Sequence, residues 1–287
     1  MSKSKDWTVV QMLNWATDYF RDNSVSSPRL SIEWLLAEVL GIPRLDLYMQ
    51  YDRPLTRQEL DSLRPLVKRR AQNEPLQHIV GYTDFYNCRI NVNPEVLIPR
   101  PETEQLTELI LQNYSSHDNL RVLDVGTGSG CIAISLKKEQ PSWQVEAADV
   151  SEKALKTAAE NAELNQTEIT FHRFDFNEPD SWKHLPRYNL IVSNPPYIPQ
   201  NEYINLDSEV KEYEPKMALY SRQPPETFSR LLNLCETLLE PEGEFFAEIN
   251  NSFAQDIKEL ISKRTWQGEI LEDYGKTPRF LRAKIRK

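Results

Sequence analysis

From Leu120 onward, short strand-like runs alternate with helical patterns, and this alternation restricts the fold more than any other feature of the chain. It predicts a mainly parallel sheet with helices on both faces, because consecutive parallel strands need a crossover connection. The last two runs have no helix between them, so we expect them to pair as an antiparallel hairpin. The expected fold is therefore α/β, with a seven-stranded, mainly parallel sheet and one antiparallel edge strand. The predicted strands are Arg121–Val125, Gln144–Asp149, Ile169–Asp175, Tyr188–Ser193, Gly243–Ile249, Glu269–Tyr274 and Phe280–Arg286.

The first 75 residues differ from the rest of the chain, because their apolar residues recur at helical spacing. Ser27 and Pro28 are a typical start for a helix that Gly41 would end. Between Ile79 and Ile98 the pattern changes to short alternating segments, and these predict a β-hairpin, with residues 85–92 the clearest. The predicted organisation is a helical bundle over residues 1–75, a β-hairpin linker over residues 76–102 and an α/β domain over residues 103–287.

The composition indicates a protein of a reducing compartment that holds no metal. The three cysteines, Cys88, Cys131 and Cys235, are widely separated and fit neither a disulfide framework nor a zinc motif. The four histidines show no metal-ligand spacing. No apolar run approaches the roughly 18 residues of a membrane span, and the N-terminus lacks the apolar core of a signal peptide. We therefore expect a cytoplasmic protein without membrane contact, and nothing in the sequence requires more than a monomer.

The formal net charge of −9 disfavours a nucleic acid as the partner, since proteins that grip polyanions usually carry a basic surface. The best candidate for a local basic patch is the triplet Lys68-Arg69-Arg70. A solvated helix face is the more ordinary interpretation of such a triplet, and we predict that instead of a binding surface.

A glycine-rich loop, Asp-Val-Gly-Thr-Gly-Ser-Gly over residues 124–130, follows the first predicted strand and opens a helix. In a doubly wound sheet a ligand lies at the carboxyl ends of the strands, near the point where strand order reverses. Asp149 ends the second strand, 19 residues after Gly130, where a carboxylate can bind both ribose hydroxyls. Asp175 and Phe176 end the third strand and suit the edge and face of an adenine.

The spacing of this loop favours S-adenosylmethionine over a nicotinamide dinucleotide. The loop has the pattern GxGxG rather than the GxGxxG of a pyrophosphate site, and no His or Lys stands out at a hydride-transfer position. The alternative role for Asp149 is a helix N-cap, because Ser151 and Glu152 look like a helix start, and capping is compatible with ribose binding. The predicted cofactor-binding residues are Gly126, Thr127, Gly128, Ser129, Gly130, Asp149, Asp175 and Phe176.

Asn194-Pro195-Pro196-Tyr197 follows the fourth predicted strand and indicates the chemistry. The Asn194 side-chain oxygen and the Pro195 carbonyl are neighbouring acceptors with no nearby backbone donor, since proline has no N–H. They suit a planar –NH2 group, and Tyr197 adds an aromatic wall. Positioning of this kind is worth roughly 7–11 kcal/mol, so attack by the nitrogen needs no strong base. The motif predicts methylation of an sp2 amino or amide nitrogen; its alternative is a stiff turn after a strand.

With these residues, the chain resembles the bacterial release factor glutamine methyltransferase family (PrmC/HemK) over essentially its full length. The glycine loop and the Asn-Pro-Pro-Tyr motif are shared with many adenine and guanine amino-methyltransferases, so the more specific likeness lies elsewhere. It is carried by residues 75–81 (Pro-Leu-Gln-His-Ile-Val-Gly), 85–86 (Phe-Tyr), 96–104 (Val-Leu-Ile-Pro-Arg-Pro-Glu-Thr-Glu), 213–215 (Tyr-Glu-Pro), 218–219 (Ala-Leu), 273–275 (Asp-Tyr-Gly) and Arg279. The chain departs from the family pattern after Glu248, where a glycine usually follows.

The resemblance implies a class I (Rossmann-like) methyltransferase that uses S-adenosylmethionine. Its substrate would be the side-chain N5 of the glutamine in the Gly-Gly-Gln motif of class 1 peptide chain release factors. The N-terminal bundle would help to hold the release factor, or would only shield one end of the core.

The resemblance also implies roles for individual residues. It places Gly126 to Gly130, Asp149 and Phe176 at the cofactor and Asn194 at both cofactor and substrate. The implied catalytic residues are Asn194, Pro195 and Tyr197. Arg100 and Glu102 would shape the entrance to the site, or form an ion pair within the linker. The implied substrate-binding residues are Asn194, Pro195, Pro196, Tyr197, Arg100 and Glu102.

Two other functions remain open. A nucleic-acid amino-methyltransferase would flip an adenine or a guanine into the same motif and methylate adenine N6 or guanine N2. Salt-sensitive binding to DNA or RNA would favour it. A non-catalytic cofactor-binding module would regulate a partner by docking, and tight cofactor binding without turnover would favour that reading.

Overall fold

The structure, a computed structural model, describes residues 7–286 and divides them into two compact units. The first unit contains the residues up to Gly81 together with Asp207–Tyr213, and the second contains Tyr82–Leu206 and the residues from Glu214 onward. Residues 1–6 and Lys287, which fall within the predicted bundle and the predicted α/β domain, lie outside the described residues.

The helices are α1 (Val9–Asp22), α2 (Pro28–Leu40), α3 (Arg57–Arg70), α4 (Leu76–Val80), α5 (Pro101–Tyr114), α6 (Cys131–Glu139), α7 (Glu152–Leu164), α8 (Pro179–Trp182), α9 (Gln200–Tyr203), α10 (Ser208–Tyr213), α11 (Lys216–Leu219), α12 (Pro224–Leu238) and α13 (Ala254–Ser262). Short 3-10 helices cover Arg44–Met49 and Asn251–Phe253. The strands are β1 (Tyr82–Phe85), β2 (Cys88–Asn91), β3 (Arg121–Val125), β4 (Gln144–Asp149), β5 (Thr170–Arg173), β6 (Tyr188–Ser193), β7 (Leu239–Glu248), β8 (Trp266–Glu272) and β9 (Pro278–Ile285).

The first unit is helical because its sequence supplies both caps and an apolar stripe. Thr8 and Gln11 form a capping box at the start of α1, and Thr56 and Glu59 form another at the start of α3. Gly41 ends α2 with a φ of 63°, a conformation that glycine adopts without strain. The core of this unit includes Val9, Met12, Leu13, Ala16, Phe20, Ile32, Leu35, Leu36, Leu63 and Val67.

A buried guanidinium joins four segments of the first unit. Arg70, the last residue of α3, has a side chain that is only 2% exposed. It donates to Ser31 Oγ at 3.0 Å, to the Glu74 carbonyl at 2.6 Å and to the Ser26 carbonyl at 3.2 Å. It also pairs with the carboxylate of Glu209 in α10 at 3.1 Å. The segment 207–213 is therefore held in this unit by an ion pair largely removed from water.

The prediction that Lys68-Arg69-Arg70 is a solvated helix face is wrong for Arg70 and incomplete for Arg69. Arg69 forms a bidentate pair with Glu74, at 2.8 Å and 2.6 Å, while Lys68 is exposed. A triplet of like charges spans most of a helical turn, so its members point to different sides of α3.

The second unit is built on a seven-stranded sheet with the order β5-β4-β3-β6-β7-β9-β8. The pairs from β5 to β7 are parallel, whereas β9 pairs antiparallel with both β7 and β8. The predicted α/β fold and its antiparallel hairpin at one edge are confirmed. The last strand lies one place in from that edge, between β7 and β8. Strand order reverses between β3 and β6, which is where a doubly wound sheet binds its ligand.

Three strands have the predicted bounds: Arg121–Val125, Gln144–Asp149 and Tyr188–Ser193. Each combines buried apolar residues with a polar or turn residue at or just beyond its end. The fifth strand of the sheet in sequence, β7, begins at Leu239 instead of the predicted Gly243, with a register shift opposite Tyr188. The pairing, not the apolar pattern, determines where such an irregular strand begins.

The predicted hairpin exists as β1 and β2, which pair in antiparallel register. The segment 85–92, predicted as the clearest alternating segment, contains the turn as well as β2, and Tyr86 in that turn has a φ of 52°. Asn161 of α7 holds the hairpin by accepting from the Asn91 N–H at 2.8 Å and donating to the Asn91 carbonyl at 3.0 Å. The same amide donates to the Ser129 carbonyl at 2.9 Å, so one buried side chain ties the hairpin to the glycine loop.

Among the helices of residues 7–286, none combines the length and the apolarity that a membrane crossing requires.

Candidate active site

The glycine loop turns sharply at the end of β3. Gly126 and Gly128 have φ values of 76° and 55°, and a Cβ added at either would meet no atom within 4 Å. This open space lets a ligand approach the backbone of the loop closely. Gly130 has a different role, because a Cβ there would come 2.9 Å from Ile134 Cδ1 and 3.1 Å from Ala158 Cβ. It lets α6 pack against α7.

Asp149 braces the loop from the end of β4. Its Oδ2 accepts from the Gly128 N–H at 3.0 Å, and its Oδ1 accepts from the Ser151 N–H at 2.9 Å. Burial raises the pKa of this carboxyl, and these backbone donors oppose the rise. The N-cap of α7 is Ser151, whose hydroxyl accepts from the Ala154 N–H at 3.2 Å. Asp149 is therefore not the cap, and each of its oxygens keeps a lone pair for another donor.

A cavity of about 730 Å³ in the second unit lies over the carboxyl ends of the parallel strands. Its volume is in the range of small-molecule sites. The sequence-predicted residues that line it are Gly126, Thr127, Gly128, Ser129, Asp149, Asp175, Phe176, Asn194 and Pro196. Gly130, Pro195, Tyr197, Arg100 and Glu102 are not part of the described lining.

The other wall of the cavity comes from segments to which the sequence assigned no role. Val96, Leu97, Pro99 and Thr103 line it from the linker and α5. The segment after the Asn-Pro-Pro-Tyr motif returns to the cavity through Ala218 to Arg222, because Ile198 donates its N–H to the Leu219 carbonyl and accepts from the Ser221 N–H. The only signal for these residues was the family resemblance of segments 96–104 and 218–219.

The Asn-Pro-Pro-Tyr motif reaches the glycine loop because β6 lies directly beside β3. Ser193 is in register with Val125 and donates its hydroxyl to the Val125 carbonyl at 2.7 Å. The next residue, Asn194, therefore lines the cavity. Its Nδ2 donates to Thr103 Oγ1 at 3.0 Å.

A carboxylate at the end of β7 anchors the motif. Glu248 is 1% exposed, and its Oε1 accepts from the Tyr197 hydroxyl at 2.5 Å while its Oε2 accepts from the Thr103 hydroxyl at 2.8 Å. Burial raises the pKa of Glu248, and both hydroxyl donors and the charge of Arg279 oppose that rise. Burial and the nearby Glu248 charge raise the pKa of Tyr197 well above its ordinary value, so the phenol keeps its proton. Tyr197 is thus fixed by its hydroxyl.

Arg100 forms an ion pair beside the cavity and is not among the residues that line it. Its guanidinium pairs with Glu214, and the Ile98 N–H donates to the other oxygen of the same carboxylate at 3.0 Å. Among the ion pairs of the described residues, Arg100 is joined to Glu214 and not to Glu102. Arg100 therefore connects the linker to the segment that returns to the cavity, and this contact is compatible with shaping an entrance.

Asp124, fully buried beneath the loop, predicts a pH dependence of stability. Its Oδ2 accepts from the Thr127 hydroxyl at 2.7 Å, and burial raises its pKa from 3.8 to about 7. The folded protein therefore keeps this proton to a higher pH than the unfolded chain does. The contribution of this proton to the free energy of unfolding is complete below about pH 4 and is lost as the pH rises through about 7. Asp124→Asn should flatten that part of the stability profile.

Urea unfolding at pH 5 and pH 8 checks this prediction, with the exposed Asp256→Asn as the control. The free energy of unfolding of the wild type should fall by a few kcal/mol from pH 5 to pH 8, and that of the Asp256→Asn variant should fall by as much. An equal loss in Asp124→Asn would contradict the assignment.

In the part of the chain that the structure describes, no group of three or more His, Cys, Asp or Glu side chains is arranged to hold a metal ion. The three cysteines are buried and unpaired.

Comparison with known proteins covers both units. Residues 11–81 match the PrmC N-terminal domain family, and residues 99–208 match the Methyltransferase small domain family. The chain is 37% identical over 292 residues to the release factor glutamine methyltransferase of Chlorobaculum tepidum, an alignment that covers 98% of each chain. It is 38% identical over 279 residues to the protein of the same name from Rhodopirellula baltica, covering 94% of this chain and 93% of that one.

A solved methyltransferase structure from Pyrococcus furiosus has a similar fold. The TM-score is 0.52 at 18% identity, over 70% of this chain and 90% of that chain. At this identity the likeness concerns the fold alone.

Proposed function

The chain belongs to the release factor glutamine methyltransferase family, and we propose that it methylates the side-chain amide nitrogen (N5) of the glutamine in the Gly-Gly-Gln motif of class 1 peptide chain release factors. Identity of 37% along 98% of a relative supports this function. The observation that carries it is the position of Asn194, which lines the same cavity as the glycine loop and whose side chain is bonded to Thr103, itself bonded to Glu248.

The residues around the cavity fit S-adenosylmethionine, which supplies a methyl group on a sulfonium. The open space beside Gly126 and Gly128 leaves room for the methionine portion against exposed backbone. Asp149 retains lone pairs for the ribose hydroxyls, and Asp175 and Phe176 suit the adenine at the end of β5. The carboxylates of Asp149 and Asp175 also favour a cofactor with positive charge.

We assign the glutamine slot to Asn194, Pro195, Pro196 and Tyr197. The amide –NH2 of the substrate donates its hydrogens to the Asn194 side-chain oxygen and the Pro195 carbonyl, which orients the nitrogen. An amide nitrogen is a weak nucleophile because its lone pair is conjugated, as the rotational barrier of about 18–20 kcal/mol indicates. Positioning therefore supplies most of the rate enhancement. After methylation the nitrogen is acidic and releases its extra proton to water.

Further proposals concern the partner and the cellular setting. We propose that the helical first unit helps to hold the release factor, that the enzyme acts as a monomer and that it works in the cytoplasm. Arg100 and Glu102 are assigned to the entrance of the site, with Arg100 oriented by Glu214.

Nucleic-acid methylation is disfavoured by charge. The net charge is −9, and the best candidate for a basic patch is largely neutralised, since Arg70 is buried with Glu209 and Arg69 pairs with Glu74. Lys68 is exposed to a phosphate, whereas the guanidinium of Arg69, whose side chain is 42% exposed, is already paired with Glu74.

The test is transfer of a labelled methyl group. The full chain is incubated with unmethylated release factor and methyl-labelled S-adenosylmethionine, and the label is mapped by peptide mass spectrometry. Label on the Gly-Gly-Gln glutamine is the expected result. Label on DNA or RNA but not on the release factor would overturn the proposal, as would tight cofactor binding without transfer to any acceptor.

A further inference from the structure

We infer that Thr103 is a positioning residue that makes methyl transfer specific for an amide: supported by Glu248, its hydroxyl holds the Asn194 side chain with the amide oxygen available to the substrate. This inference rests on the proposed function. It concerns a residue that lies between two glutamates in the first turn of α5 and contacts the Asn-Pro-Pro-Tyr motif from a distant part of the chain.

The contacts form a chain of three side chains from distant parts of the sequence. Asn194 Nδ2 lies 3.0 Å from Thr103 Oγ1, and Thr103 Oγ1 lies 2.8 Å from Glu248 Oε2. Thr103 is 2% exposed and Glu248 is 1% exposed, so water does not compete for the hydrogen bond between them, while Asn194 is half-buried at the cavity wall. A buried chain of this kind keeps its members in one arrangement.

The direction of the hydrogen bonds follows from the chemistry of the last member. The two carboxylate oxygens of Glu248 accept one hydrogen bond each, from the Tyr197 hydroxyl and from the Thr103 hydroxyl. Thr103 has a single hydroxyl hydrogen, and it must donate this hydrogen to Glu248. The Thr103 oxygen is then left only as an acceptor toward Asn194. The –NH2 group of Asn194 must therefore face Thr103, and its oxygen must face the opposite way.

This orientation decides which substrate the motif accepts. A glutamine –NH2 needs acceptors, and the Asn194 oxygen together with the Pro195 carbonyl supplies them. Were the Asn194 amide reversed, its –NH2 would meet the –NH2 of the substrate, and no hydrogen bond would form. A glutamate side chain, which offers only acceptors when ionised, would be favoured by the reversed amide. Thr103 therefore helps to select an amide over a carboxylate.

Thr103→Val tests the inference, because valine keeps the shape of the side chain and removes the hydroxyl. We expect kcat with the release factor to fall about 100-fold, while the Kd for S-adenosylmethionine changes less than about threefold. Thr103→Ser keeps the hydroxyl and should restore most of kcat. The matched control is Thr107→Val: Thr107 is also buried on α5, but its hydroxyl donates to the Thr103 backbone carbonyl at 3.2 Å. Thermal unfolding of each variant establishes that it is folded, and Thr103→Ala replaces the valine variant if that one is not.

A second measurement separates positioning from a structural effect. A release factor whose motif glutamine is replaced by glutamate serves as a competitive inhibitor. Its affinity relative to the unchanged release factor should rise about tenfold in Thr103→Val, because the Asn194 amide is no longer held in one orientation. Thr107→Val should leave this ratio as it is in the wild type.

Three results would overturn the inference: wild-type kcat in Thr103→Val, equally low kcat in Thr103→Ser, or an unchanged inhibitor ratio in Thr103→Val. A wild-type protein that does not methylate the release factor glutamine would instead contradict the proposed function, so the failures are distinguishable.

Discussion

Replacing Asn194 with alanine is expected to lower kcat for methyl transfer by about 1000-fold while the protein remains folded. The substitution removes the side-chain acceptor that orients the substrate nitrogen. It also removes the –NH2 that bonds Thr103 at 3.0 Å, so the anchor from Glu248 no longer reaches the substrate. The free energy of unfolding should fall by only about 1 kcal/mol, the usual contribution of one such hydrogen bond.

Mass spectrometry of the glutamine peptide after a single turnover measures this effect. The control is Asn205→Ala, an exposed residue of the same connection whose side chain donates to the Asn201 carbonyl at 2.8 Å. This control should transfer the methyl group at the wild-type rate. If Asn194→Ala kept more than about a tenth of the wild-type rate, positioning by the side-chain oxygen would not be the source of the acceleration.

Replacing Arg70 with alanine is expected to lower the free energy of unfolding by about 3–5 kcal/mol, the effect of breaking a buried ion pair from one side. The guanidinium is 2% exposed and joins Ser26, Ser31, Glu74 and Glu209. Without it, Glu209 loses its counter-charge and the carbonyls of Ser26 and Glu74 lose a donor. The segment 207–213 would lose its ion pair with α3 and would keep weaker contacts, such as the hydrogen bond from the Tyr213 hydroxyl to the Gln72 carbonyl at 3.0 Å.

Urea unfolding followed by tryptophan fluorescence measures this loss, because Trp7, Trp15 and Trp34 lie in the first unit. Arg57→Ala is the control on the same helix, since its side chain is 95% exposed and its ion pair with Asp61 spans 3.8 Å. Arg57→Ala should lower the free energy of unfolding by less than about 1 kcal/mol. A loss in Arg70→Ala no larger than in this control would falsify the assignment of Arg70 as the anchor of this segment.

The sequence was sufficient for the parts of the fold that depend on neighbouring residues. Strands β3, β4 and β6 have their predicted bounds, because each shows its buried apolar residues and its terminal turn signal within one short segment. The place of β9 between β7 and β8 was not predictable in the same way, since it depends on which strands pair across the sheet.

The same distinction, between residues close in sequence and residues brought together by the fold, applies to the candidate site. The glycine loop is one contiguous segment, and the motif at Asn194 is another. Each follows a parallel strand, so their place at one edge of the sheet could be predicted. Thr103 and Glu248 could not be assigned, because their contacts join positions 91 and 145 residues apart. Nothing in the local pattern distinguishes Thr103 from a solvent-exposed helix residue beside charged neighbours.

The sequence by itself determined the α/β alternation, the glycine loop and the acceptor pair at Asn194, because each is encoded by spacing within a short segment. Only the tertiary structure decided that Arg70 is buried, that Glu248 anchors Tyr197 and that Thr103 orients Asn194. Burial and hydrogen-bond direction depend on which groups, distant in sequence, come into contact when water is excluded. The residue pattern of a short segment does not specify those contacts.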